Sequence, residues 1–132
     1  MLTINKDSQV FDYSIKQVDD VRNVSFHGNK FNPKKPTSMF IKHGIISCTL
    51  DVMTKIMGFE PEYDEHGLKS HFIWKAKWNG IKFTIYDWKV DEDDIDFYHK
   101  NDIGWHIGSL TEDDMLEIEK FLLQRLREVE NK

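Results

Sequence analysis

The sequence predicts an α+β domain: an antiparallel β-sheet packed on one face by two helices. Three observations carry this. Two alternating apolar runs meet at Asn79-Gly80, a helical stripe of apolar residues ends at Gly58, and a longer stripe of the same kind closes the chain. A chain of 132 residues fits one domain, spanning 1–132, and can bury roughly two thirds of the surface its unfolded form exposes.

In chain order, residues 1–43 carry the weakest pattern. "VFDYSIKQV", 10–18, alternates briefly, whereas "HGNKFNPKKPTS", 27–38, gathers Gly, Asn and two prolines into a loop; one or two short strands are expected over 1–43. Ile46, Leu50, Met53 and Met57 then recur at helical spacing, with Val52 and Ile56 beside them and Gly58 in the capping position. A buried helix is predicted over 46–57, and Pro61 prevents its continuation.

The hairpin over 70–89 is the most informative element. If Asn79-Gly80 forms a two-residue type I′ turn, Trp78 lies opposite Ile81, Ala76 opposite Phe83, Trp74 opposite Ile85 and Phe72 opposite Asp87. That face is apolar except for Asp87. Alternation puts Lys77 with Lys82, Lys75 with Thr84, Ile73 with Tyr86 and His71 with Trp88 on the other face. A further strand over 103–108 turns Ile103, Trp105 and Ile107 to the core, which sets His106 beside Tyr86 and Trp88. The acidic connection "VDEDDIDFYHKND" is longer than a tight hairpin needs and reads as a flap or mobile loop. Ser109 with Glu112 reads as a capping box, and Met115, Ile118, Leu122, Leu126 and Val129 mark an amphipathic helix over 110–129.

Composition excludes several classes. A formal charge of -5 argues against direct DNA or RNA binding by the protein as a whole, since phosphate binding needs clustered excess Lys and Arg. Cys48 is the single cysteine, so no intramolecular disulfide can form. No window approaches the ~18 apolar residues of a membrane span, and "MLTINKDSQVFDY" lacks the apolar run of a signal peptide. The expectation is a cytoplasmic protein without a membrane partner.

The candidate ligand-binding residues are Lys75, Lys77, Lys82, His71, Tyr86, Trp88 and His106. Aromatic rings beside ammonium groups suit a small anionic, base-containing ligand, because stacking contributes ~1–3 kcal/mol per base and Lys supplies the counter-charge. The bland alternative is an ordinary solvated sheet face. Asp87, near the end of its strand, is expected either to reach solvent or to accept hydrogen bonds from Lys89, His106 or the backbone entering the last helix; contact with His106 would orient a general base. No Ser or Cys stands in a nucleophile motif, so no catalytic residue is assigned. The histidines at 27, 43, 66, 71, 99 and 106 form no HxH or HExxH, and the glycines form no phosphate loop. No metal and no cofactor are expected.

"MGFEPE", "FTIYDWK" and "GWHIGS", spread over residues 50–110, together resemble small uncharacterised proteins encoded by bacteriophages, in which a WHIGG-like run often has a second glycine where Ser109 stands here. The resemblance implies a phage accessory protein acting in a bacterial host cytoplasm, in counter-defence. It carries over no site residue. Two functional classes follow. One is a non-enzymatic binder that sequesters a nucleotide-like ligand on the lysine and aromatic face; the other is an acidic inhibitor whose 91–102 loop and C-terminal helix dock on a host nucleic-acid-binding or defence protein. An enzyme ranks third, for want of a motif. A homodimer is also expected, because Phe121, Leu122 and Leu123 are consecutive and successive helix positions turn by ~100°, and because Ile73, Tyr86 and Trp88 gather on the polar side of the hairpin as an interface-like patch.

Overall fold

The structure is a computed structural model and describes residues 15–22, 24, 26–27, 44–64, 70–88 and 95–131. The expected loop at 28–38, the first half of the alternating run 10–18 and the acidic run 91–94 lie outside them. Among the described residues the elements are β1 (Lys16–Gln17), β2 (Phe26–His27), β3 (Ile45–Cys48), α1 (Leu50–Met57), β4 (Glu62–Tyr63), β5 (Phe72–Trp78), β6 (Ile81–Tyr86), α2 (Ile95–Lys100), β7 (Ile103–Ser109) and α3 (Glu112–Glu130). All strand pairs are antiparallel, in the order β1-β5-β6-β7-β2, with β4 on the outer edge of β5 and β3 beside β7.

The hairpin register is the one the sequence predicts. Asn79 and Gly80 both adopt positive φ, 51° and 78°, as a type I′ turn requires, and Trp78 pairs with Ile81 through to Ile73 with Tyr86. β7 adds Tyr86 opposite His106 and Ile85 opposite Ile107. One sheet face therefore buries Phe72, Trp74, Ala76, Phe83, Ile85, Ile103, Trp105 and Ile107 against Met53, Ile56 and Met57 of α1 and Met115, Ile118 and Leu122 of α3 in one core cluster. This is the expected α+β arrangement, with helices on one face. None of the helices among the described residues is long and apolar enough to cross a membrane.

Three local expectations are corrected. The 46–57 helix begins only at Leu50: Ile45–Cys48 is a strand on β7, and Thr49 caps the helix by accepting from Val52 N–H at 3.3 Å. Ile46 and Cys48 are both buried and Ser47 between them is exposed, so the two-residue period wins over the helical one. α3 is capped by Thr111, which accepts from Asp114 N–H at 3.1 Å, while Ser109 is buried and donates to the Thr111 carbonyl at 2.6 Å. The Ser109–Glu112 box does not form because Ser109 still belongs to β7.

The third correction concerns the acidic connection, part of which is helical. α2 buries Tyr98, and His99 meets Asp51 of α1 at 2.8 Å. The three consecutive apolar residues of α3 find partners within the chain. Phe121 stacks on Trp78 with ring centroids 3.8 Å apart and planes 7° apart, Leu122 is in the core and Leu123 packs against it. All three are accommodated within the chain.

Candidate functional site

The face of the sheet opposite the helices is ordered in rows, because directly paired residues of neighbouring strands point the same way. The first row is Lys16, Lys77 and Lys82, crossing β1, β5 and β6. Next come Lys75, Thr84 and Gly108. The third is Ile73, Tyr86, His106 and Ile45. Successive rows lie ~6.7 Å apart, two residues of strand rise. The face is thus cationic at the Asn79-Gly80 end and aromatic at the other.

The aromatic end is a packed group. Tyr86 and His106 stack with centroids 5.6 Å apart at 27°, and Trp88 stands edge-on to Tyr86 at 6.3 Å and tilted to His106 at 6.5 Å. Tyr86 is only 9% exposed, whereas Trp88 is 42% exposed, so Trp88 presents the surface on which another ring can stack. At the cationic end Lys75 reaches Glu62 at 3.3 Å. Lys16 completes the lysine row and was missed by sequence reasoning. Its signal was the alternation of "SIKQV", which sets Lys16 out of phase with Ile15 and Gln17.

Six of the seven expected site residues share this face: Lys75, Lys77, Lys82, Tyr86, Trp88 and His106. His71 does not join them. Its Nδ1 lies 3.0 Å from the Tyr98 hydroxyl and 3.5 Å from Asp87 Oδ2. Asp87 is fully buried, and the expected contacts are replaced by others: its Oδ1 accepts from Phe72 N–H at 2.8 Å, His71 N–H at 2.9 Å and Ser70 Oγ at 3.2 Å, and its Oδ2 accepts from Tyr98 at 2.7 Å. Tyr98 was the unforeseen partner. An aromatic pair, Phe97-Tyr98, in an otherwise acidic connection was the available sign that this segment is tied down.

Among the described residues no three His, Cys, Asp or Glu side chains are grouped as a metal ion would need. Cys48 is 3% exposed, and burial, with smaller contributions from Asp102 and Glu130, pushes its thiol up to about 12, which suppresses the reactive thiolate. Burial likewise pushes the Tyr86 hydroxyl up to about 12.

Both groups hold their protons more tightly folded than unfolded. Their stabilisation is fully present below the unfolded-state values, about 9 for the thiol and 10 for the phenol, and is lost as pH rises toward about 12. The melting temperature is therefore expected to fall across that alkaline window. Thiol reagents at pH 8 should leave Cys48 unmodified until the protein is unfolded; rapid labelling of the native protein would contradict the burial described.

Comparisons with family models, with curated proteins and with solved structures find no match.

Proposed function

We propose that this protein is a non-enzymatic binder that sequesters a small anionic, nucleotide-like ligand on the lysine and aromatic face. The role fits the phage-encoded counter-defence accessory that the sequence resemblance implies, acting in a host cytoplasm. The observation that carries the reading is the row Lys16, Lys77 and Lys82, three lysines at directly paired positions of adjacent strands in a chain of net charge -5. Like charges directly opposite one another destabilise a sheet. An anion lying on the row offsets that cost, and Trp88, beyond the third row and three row-spacings from these lysines, adds a stacking surface at the far end of the face. Neither requires a reaction.

Calorimetry against linear and cyclic nucleotides tests it. Binding heat is expected for at least one, with affinity that falls as salt is raised. Trp88→Ala should weaken binding about tenfold, corresponding to ~1.4 kcal/mol. The pair Lys77→Gln and Lys82→Gln should weaken it further while leaving the melting temperature unchanged or higher, because the variants relieve repulsion in the empty protein. No heat with any nucleotide would overturn the proposal.

A further inference from the structure

β1 leaves the edge of β5 at Val18, whose N–H donates to the Lys75 carbonyl at 3.0 Å. The chain then turns through residues 19–22, and Asp19, Asp20, Val21 and Arg22 line a shallow, solvent-open depression together with Lys75. Within it Arg22 grips Asp20 as a fork: Nε donates to Oδ1 at 3.0 Å and Nη2 to Oδ2 at 2.9 Å, with the Arg22 backbone N–H adding a third bond to Oδ1 at 3.1 Å. These bonds, and more weakly the charge of Lys82, hold the Asp20 carboxyl well below the usual carboxylate range. Asp20 is accordingly an anion in the field of the lysine row at physiological pH.

A guanidinium fork that fits a carboxylate also fits a phosphate. We infer that Arg22 and Lys75 form the phosphate subsite of this face, and that Asp20 is a resident stand-in which a ligand phosphate displaces. The inference rests on the nucleotide-binding reading above and names the ligand group recognised, a phosphate monoester or diester. Displacement is inexpensive, since the Arg22 and Asp20 side chains are 88% and 50% exposed and an exposed ion pair contributes little to stability. A phosphate monoester brings more charge than the carboxylate it replaces and three acceptor oxygens, so it competes well for the same donors.

Calorimetry with the tightest-binding nucleotide of the panel, run on three variants, separates the possibilities. Asp20→Asn removes the competing charge and should raise affinity about fivefold, Arg22→Ala should lower it about tenfold, and Arg22→Lys, which keeps the charge but not the fork, should fall between. Melting temperatures should stay within a degree or two of the parent, because both side chains are exposed and bond only locally. Parent and variants that all fail to bind any nucleotide overturn the reading of the whole face and this subsite with it. A parent that binds through Trp88 and the lysines, with Asp20→Asn and Arg22→Ala both at parental affinity, overturns the subsite alone. So does Asp20→Asn that binds more weakly, which would make Asp20 a direct ligand contact.

Discussion

Asp87→Ala is expected to cost about 3–5 kcal/mol of folding stability, measured by urea denaturation as a shift in midpoint at constant slope. The carboxylate is fully buried, and four donors converge on it from two parts of the chain. Alanine leaves the buried Phe72 N–H without that acceptor, removes the acceptor of His71 N–H and takes from the Tyr98 hydroxyl the shorter of its two contacts, the other being His71 Nδ1 at 3.0 Å; each buried donor left unpaired costs ~1–3 kcal/mol. The loss is compounded by position. Ser70, His71 and Phe72 start β5, and Tyr98 is the buried residue of α2, so one side chain ties the strand entry to the helix that follows β6. Asp87→Asn should lose less, because its amide oxygen can still accept from the two backbone donors. Tyr98→Phe should lose less again, and a double-mutant cycle of Asp87 with Tyr98 should show coupling. An Asp87→Ala protein within 1 kcal/mol of the parent would show that the segment relaxes to find other acceptors.

Asp87 also shows what the chain discloses by itself. Alternation across Asn79-Gly80 is a local rule, so it determines which residues share a face over 72–86, and it is enough to single out the one acid on the apolar side. The partners of that acid are not disclosed in the same way. Tyr98 comes from eleven residues further along, within a helix of six residues that is too short to leave a periodic trace. The same distinction separates the lysines. Lys75, Lys77 and Lys82 follow from one hairpin, whereas the alternation around Lys16 says nothing of the two-residue edge pairing that sets it opposite Lys77. At 46–57 the failure is one of ambiguity: burial of Ile46, Leu50 and Met53 satisfies a helix, and also a strand followed by a capped helix. Only the hydrogen bonds to β7 decide between them.

Trp74→Ala is expected to cost about 3–5 kcal/mol, with Trp105→Ala close to it. Both indoles are fully buried and meet edge to face, centroids 5.3 Å apart at 76°. Area alone does not distinguish them from other core residues; their nitrogens do. Trp105 Nε1 donates to the Cys48 carbonyl at 2.9 Å and Trp74 Nε1 to the Phe59 carbonyl at 2.7 Å, so the pair holds the chain just before and just after α1. Each carbonyl belongs to a residue where regular structure stops, the end of β3 in one case and the segment past the Gly58 cap in the other, where backbone partners run out. Replacement by phenylalanine separates the two contributions. It keeps most of the apolar volume and loses the donor, so Trp74→Phe and Trp105→Phe should each cost ~1–2 kcal/mol, from the lost bond and the unpaired carbonyl. Because each substitution loosens a different end of the same helix, hydrogen exchange in α1 should quicken from its C-terminal end in Trp74→Phe and from its N-terminal end in Trp105→Phe. Equal protection along α1 in both variants would mean that the indoles act through packing alone and that the helix ends are held by other contacts.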